Sequence, residues 1–232
     1  MTKKPAQVMV VTPHPDDAEY GVAGTVARWT SEGKEIIYVV CTNGDKGTSD
    51  NNMKPEDLAR IREKEQMAAA RLLGVREVIF LRHPDQSLED TAEFRKEIVR
   101  LIRVYRPETI VTADPYRRYV WHRDHRITGQ VTLDAVFPYA RDLFSYPDLI
   151  KEGLQPHKVR ELLFWAADDV NYRSDITDTF HLKVAALRCH ESQVGHVPPQ
   201  ELEEWLKERQ REMAEGEEFQ LAEAFHRVEI TR

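Results

Sequence analysis

Residues 8–19 read VMVVTPHPDDAE, and this stretch decides the fold. The apolar run Val8–Val11 stops at a loop that contains two prolines, and a helical pattern follows the loop. Proline cannot donate a backbone hydrogen bond to a sheet, so the strand must end here and the loop must be stiff. Stiff polar loops at the carboxyl ends of strands carry the chemistry of α/β proteins. We therefore expect His14, Asp16 and Asp17 to belong to a functional site.

Buried apolar strands alternate with amphipathic helices through the first half of the chain. This alternation predicts an α/β fold with a single doubly wound, mostly parallel sheet in a Rossmann-like three-layer α/β/α arrangement. The predicted strands are Gln7–Thr12, Glu35–Thr42, Glu77–Leu81 and Glu108–Ala113. The predicted helices run from Asp16 or Asp17, as cap, to about Thr30, and over Pro55–Leu73 and Thr91–Tyr105.

The second half of the chain has a weaker pattern and no sign of a domain boundary. We expect residues 1–232 to form one domain, in which the part from about residue 140 completes the fold and walls the pocket. The predicted elements are helices at Ile127–Tyr139, His181–Val194 and Pro198–Met213, a loop at Ala140–His157, and strands at Glu161–Ala166 and His226–Ile230.

Composition excludes several classes of function. The net charge of −7 argues against nucleic acid, which needs a clustered positive surface. No apolar run reaches the roughly 20 residues of a membrane span, and the amino terminus lacks a signal-peptide pattern. Cys41 and Cys189 are far apart in the sequence and form no CxxC pair. We therefore expect a cytoplasmic protein with reduced thiols that binds neither nucleic acid nor membrane.

A second polar cluster, WHRDH at Trp121–His125, follows the fourth predicted strand. The carboxyl ends of parallel strands lie at one edge of a sheet, so this cluster and His14 can converge. Two histidines and a carboxylate are typical ligands of catalytic zinc or a related divalent metal. Each motif alone has an ordinary explanation, since HxxH pairs occur on surface helices and paired aspartates often cap helices. Their combination favours a metal site.

The motifs PHPDDAE at Pro13–Glu19 and HRDH at His122–His125 resemble the PIG-L/LmbE-like family of metal-dependent N-deacetylases. Supporting similarities cover most of the chain: TNGDKG at Thr42–Gly47, RxxE at Arg62–Glu65, LLGV at Leu72–Val75 and HESQ at His190–Gln193. The family acts on N-acetylglucosamine-type sugars, including precursors of mycothiol, bacillithiol and glycosylphosphatidylinositol. The resemblance implies a small N-acetyl sugar as substrate and a homo-oligomer.

The resemblance also assigns roles to individual residues. It implies that Zn²⁺, or another divalent metal such as Fe²⁺, is held by three ligands: His14, Asp17 and His125. The implied catalytic residues are Asp16 as general base, His122 as oxyanion stabiliser or acid for the leaving amine, and Asp124 as the partner that orients a histidine. Zinc would lower the pKa of a bound water to about 7, and a neighbouring carboxylate would then take its proton.

The implied substrate contacts are Arg62, Asp85 and Tyr119. Alternatively, Arg62 forms an ion pair with Glu65 on the same helix. Asp85 alternatively shapes a turn after Pro84. Family members that act on thiol-precursor sugars often carry tyrosine at the position that Val120 occupies here. We expect the neighbouring Tyr119 to take the place of that tyrosine.

The leading hypothesis is a zinc-dependent hydrolase that removes acetyl from an N-acetylated amino sugar by means of metal-activated water. A second hypothesis keeps the metal and changes the bond to another amide or an ester of a small metabolite. A third is a non-catalytic module that binds a sugar phosphate or nucleotide, although no strand is followed by a GxGxxG or Walker-type loop.

Overall fold

The computed structural model describes residues 3–230. They form a seven-stranded sheet in the order β3-β2-β1-β4-β5-β7-β6. The strands are β1 (Val8–Thr12), β2 (Ile36–Thr42), β3 (Glu77–His83), β4 (Thr109–Ala113), β5 (Glu161–Trp165), β6 (Tyr172–Asp175) and β7 (Ala222–Glu229). The helices are α1 (Asp17–Ser31), α2 (Pro55–Leu72), α3 (Ala92–Tyr105), α4 (Arg123–Asp134), α5 (Pro147–Lys151), α6 (Phe180–Leu187), α7 (Glu191–Val194) and α8 (Pro199–Met213), and a π-helical turn (Ala135–Tyr139) follows α4.

The five strands from β1 to β5 are parallel, and β7 pairs antiparallel with both β5 and β6. The predicted single, mostly parallel doubly wound sheet is confirmed. The strand order runs outward from β1 on one side and from β4 on the other, so the topological switch point lies between β1 and β4. A crevice opens beyond the carboxyl ends of strands at such a point, and ligands bind there.

Each face of the sheet supports its own hydrophobic core. Met9 and Val11 of β1 point to the side covered by α3 and α4, whereas Val8 and Val10 point to the side covered by α1 and α2. All four side chains are buried. Burial on both faces explains why β1 and β2 are continuous apolar runs rather than alternating patterns.

The structure corrects several predictions in the second half. Strand β6 was missed because YRSD is short, polar and at the sheet edge. The final strand has eight residues rather than the predicted short segment. The helix predicted over His181–Val194 is two helices, α6 and α7, that are separated at Arg188–His190. His190 lies in this break, where it is buried and contacts Glu19 of α1 at 3.0 Å.

Within residues 3–230, no helix combines the length and the apolar character that crossing a bilayer requires.

Candidate metal centre and active site

The loop after β1 delivers the first side chains of the site. Asp16 occupies the N-cap position of α1 with a left-handed backbone, φ 98°, and its side chain accepts no helix N–H. The predicted side-chain cap is therefore absent. The Asp17 carboxylate instead turns back and accepts the backbone N–H of His14 at 2.8 Å. This bond closes the loop and places the His14 ring beside the first turn of α1.

Asp17 joins the two halves of the site. Its Oδ2 lies 3.1 Å from His14 Nδ1, and its Oδ1 lies 3.1 Å from His125 Nε2 at the start of α4. Burial by itself raises the pKa of the Asp17 carboxyl, but the two histidine rings bring it well below its usual range. Helix α4 follows β4, so residues more than a hundred positions apart meet at the switch point of the sheet.

Two carboxylates lie close to the Nε2 atom of His14. Asp85 Oδ1 lies 3.1 Å and Asp124 Oδ2 lies 3.3 Å from His14 Nε2. Asp124 is held by the backbone N–H of Gln86 at 2.7 Å and of Leu88 at 3.3 Å. Burial alone lowers the pKa of His14, but the surrounding carboxylates raise it to about 11. Asp124 is therefore within hydrogen-bonding distance of His14, and its predicted role as the residue that orients a histidine stays a prediction.

His122 is the N-cap of α4. Its Nδ1 accepts the backbone N–H of Asp124 at 3.1 Å, so the neutral ring must carry its hydrogen on Nε2. Burial, together with the nearby His14 and His125 rings, lowers the pKa of His122. Its ring centre lies 4.7 Å from that of His14. His122 therefore contributes a neutral N–H donor beside the metal ligands that were predicted from the sequence.

Asp16 lies on the other side of the loop against Arg62. Asp16 Oδ2 accepts a hydrogen bond from Arg62 Nη2 at 3.2 Å. Burial raises the pKa of the Asp16 carboxyl to about 6, and the Arg62 guanidinium partly opposes this rise. A carboxylate with such a pKa suits proton transfer near neutral pH.

The guanidinium of Arg62 is buried and holds two loops together. It donates to the carbonyl of Gly44 at 3.0 Å and to the carbonyl of Pro15 at 2.6 Å. A Cβ on Gly44 or Gly47 would lie 2.6 or 2.7 Å from Arg62 Nη1, so both positions leave room for the guanidinium. The alternative pair with Glu65 is not made, and Glu65 instead accepts hydrogen bonds from the backbone N–H and the hydroxyl of Ser192.

The remaining predicted substrate residues lie in different surroundings. Asp85 is buried at the site, whereas Tyr119 is 90% exposed on the loop before α4. Arg126 donates to the carbonyl of Tyr119, so this loop is tied to α4 by its backbone and not by the phenol ring. A substrate contact by Tyr119 stays a prediction.

A cavity of about 240 Å³ adjoins Asp17 and His125. Four aromatic side chains contribute to its lining: Tyr20, Trp121, Trp165 and Trp205. Trp205 lies on the highly charged helix α8, and the four aromatic side chains come from distant segments of the chain, so their grouping has no linear signal.

Two groups of three residues in the described chain have ligand atoms within 4.8 Å of one another. One is His14, His122 and His125, and the other is His14, Asp85 and Asp124. The predicted ligands His14 and His125 share the first group, and Asp17 bridges them through its two oxygens. Ligand atoms of tetrahedral zinc lie about 3.3 Å apart, given bonds of about 2.0–2.1 Å. The 3.1 Å contacts around Asp17 fit such a site, and the carboxylates that favour a protonated His14 favour a cation here.

Comparison with known proteins identifies the family. The profile of PIG-L, described as GlcNAc-PI de-N-acetylase, matches residues 9–136. The chain belongs to the PIG-L family. This match spans β1 to the π-helical turn and includes every predicted catalytic and metal-binding residue.

Relatives of this PIG-L chain include named deacetylases. Diacetylchitobiose deacetylase of Thermococcus kodakarensis is 37% identical over 187 residues, which are 81% of this chain and 70% of the relative. A probable N-acetyl-α-D-glucosaminyl L-malate deacetylase 2 of Bacillus anthracis is 32% identical over 139 residues, 58% of this chain and 61% of the relative.

A solved structure agrees with this assignment. N,N′-diacetylchitobiose deacetylase from Pyrococcus horikoshii has a TM-score of 0.91 and 32% identity, covering 98% of this chain and 84% of its own. The family prediction is confirmed, and so is the predicted class of enzyme, a hydrolase that cleaves the amide bond of an N-acetyl group. Metal dependence agrees with the family and with the His/Asp cluster.

Proposed function

We propose that the protein is a zinc-dependent N-deacetylase of small N-acetylglucosamine-containing glycosides, of which an N,N′-diacetylated disaccharide is the leading candidate. The observation that carries this proposal is the contact of Asp17 with both His14 and His125, at 3.1 Å each, beside a buried Asp16. The names of the relatives support the substrate class.

Three side chains would hold the metal: His14 through Nδ1, Asp17 through its carboxylate and His125 through Nε2. Two imidazoles and a carboxylate with an open position favour zinc. Bound there, the metal would act as a Lewis acid on the acetamide carbonyl and would lower the pKa of a water molecule to about 7. His14 Nε2 faces Asp124 and Asp85, which fixes its ring in the orientation that leaves Nδ1 toward Asp17.

Asp16 takes the proton of the attacking water in this proposal. Its burial raises the pKa of the carboxyl toward the working pH, and Arg62 keeps the side chain in one position. His122 presents Nε2–H to the carbonyl oxygen as negative charge develops on it. The amide C–N bond breaks as the proton taken up by Asp16 passes to the leaving nitrogen, and the products are acetate and the free amine of the sugar.

The protein is further proposed to be a cytoplasmic homo-oligomer that consists of one domain. Tyr119, Val120 and Phe144 are each at least 87% exposed, and apolar side chains of this kind favour contact between copies. Cys41 and Cys189 are free, as is usual in a reducing compartment. Strands β5 to β7 belong to the same sheet as β1, which supports a single domain. Light scattering of the purified protein would measure the number of copies.

The decisive experiment measures metal content and acetate release together. The purified protein is expected to bind one divalent metal per chain and to release acetate from N,N′-diacetylchitobiose faster than from N-acetylglucosaminyl malate. An Asp16→Asn variant is expected to keep the metal and to lose at least 100-fold in kcat. A metal-free protein, full activity of Asp16→Asn, or release from acetyl esters alone would contradict the proposal.

A further inference from the structure

Three polar side chains outside the mechanism form a buried chain of hydrogen bonds that ends at the backbone of Asp16. They are His190 between α6 and α7, Glu19 on α1 and Gln66 on α2, and all three have no solvent exposure. His190 Nε2 lies 3.0 Å from Glu19 Oε2. Gln66 Nε2 lies 3.0 Å from each oxygen of Glu19, and Gln66 Oε1 lies 3.0 Å from the backbone nitrogen of Asp16.

The charge of Glu19 gives this chain a direction. A carboxylate only accepts hydrogen bonds, so Gln66 must turn its amide NH₂ toward Glu19. Its carbonyl oxygen is then the only amide atom left for Asp16, and an acceptor is what the Asp16 N–H requires. His190 donates the third hydrogen bond to the buried carboxylate. Burial alone lowers the pKa of His190, but its bond to Glu19 raises it overall.

Asp16 needs such support because its backbone is strained. A non-glycine residue at φ 98° is in a sparsely populated backbone conformation that the surrounding structure must stabilise. This conformation turns the Asp16 carboxylate toward Arg62 while Asp17, the next residue, faces His14. An Asp16 N–H without its acceptor would favour a different loop conformation and would move the carboxylate out of the position that the proposed base requires.

We propose that Gln66, Glu19 and His190 are positioning residues of the reaction, which hold the backbone of the general base in its left-handed conformation. Their hydrogen bonds lead to Asp16 and not to Asp17, His125 or His14, so they act through Asp16. This inference rests on the proposed function, because it requires Asp16 to be the base. It predicts that a substitution that breaks these hydrogen bonds lowers kcat and leaves substrate affinity and metal content unchanged.

The sharpest test exchanges the amide and the carboxylate. Gln66→Glu alone places a second carboxylate 3.0 Å from Glu19 and removes the NH₂ donor, so kcat is expected to fall about 10- to 100-fold. In the double variant Glu19→Gln, Gln66→Glu, the carboxylate at 66 accepts from Asp16 and from the amide at 19, and that amide accepts from His190. The hydrogen bonds to His190 and to the Asp16 N–H are restored, together with one of the two between positions 19 and 66. The double variant is therefore expected to recover at least tenfold in kcat relative to Gln66→Glu.

Two further variants keep the test independent of folding. Gln66→Met removes the amide without adding a charge and is expected to lower kcat alone, measured per metal-loaded protein. Ser192→Ala is the matched control, because Ser192 also joins α7 to α2, through its 2.6 Å bond to Glu65, but does not lead to Asp16. Its kcat is expected to equal that of the wild type.

The outcomes separate the two proposals. Wild-type kcat in Gln66→Met, or no recovery in the double variant, would overturn the positioning role while acetate release by the wild type still supports the deacetylase. A wild-type protein that releases no acetate when loaded with metal would overturn the proposed function itself. Equal losses of kcat and of metal in Gln66→Met would show a structural role for the chain and would also overturn the inference.

Discussion

Replacing Arg62 with methionine is expected to destabilise the protein by about 3–5 kcal/mol. The guanidinium is buried and donates three hydrogen bonds, to Gly44, Pro15 and Asp16, over 2.6–3.2 Å. Each bond from a charged donor is worth about 1.5–3 kcal/mol, and the acceptors left without a partner stay buried. Asp16 relieves part of this cost by protonation, because its pKa is already raised to about 6. The sum therefore stays below three full bonds.

The assay is urea unfolding of wild type and variant at one fixed zinc concentration, since ligand concentration shifts apparent stability. For a chain of this length, the loss corresponds to a fall in Tm of about 10 °C. Arg60→Met on the exposed side of α2 is the control, and a change within about 0.5 kcal/mol is expected. Arg62→Lys keeps the charge and loses the fork, so it should lie between the two. A loss below about 1 kcal/mol in Arg62→Met would refute this account of the loop.

Removal of the metal by a chelator is expected to abolish acetate release and to lower stability by about 4 kcal/mol relative to protein with zinc at 1,000 times its Kd; a Tm that does not respond to the chelator would contradict a bound metal. His122→Gln is expected to lower kcat by about 10²–10³-fold with the metal retained. Loss of the metal in that variant would show instead that His122 is a ligand together with His14 and His125. Gly129→Ala would place a Cβ 2.3 Å from the carbonyl oxygen of Ala113, so α4 must move away from the end of β4. Thermal unfolding should show a loss of about 1–3 kcal/mol, and an unchanged Tm would show that the helix adapts.

The local signals in this sequence were strong where one strand or loop decides its own structure. The apolar run Val8–Val11 and the two prolines after it predicted β1 and its end, because burial on both faces and the missing proline N–H act within a few residues. The same reasoning failed for β6, where YRSD carries no apolar pattern and only its pairing with β7 makes it a strand.

Individual site residues show the same division. The sequence pointed to Asp124 as the partner of a histidine, and the fold identifies that histidine as His14, which lies 110 positions earlier. Arg62 was predicted to contact substrate or to pair with Glu65. Its described hydrogen bonds go to Gly44, Pro15 and Asp16, and the substrate contact stays a prediction. Gln66 had no recognisable motif at all, because its role depends on a carboxylate and a backbone N–H from another helix.

The sequence by itself determined the family and the strand–helix alternation and predicted which residues bind a metal, since these depend on local composition and short motifs. Only the tertiary structure decided which partner each of those residues contacts. Asp17 contacts both His14 and His125, whereas Asp16 accepts a hydrogen bond from Arg62. Gln66 accepts the backbone N–H of Asp16. Hydrogen bonds over a few ångströms between distant segments set these roles, and they exist only after the sheet has brought the ends of β1 and β4 together.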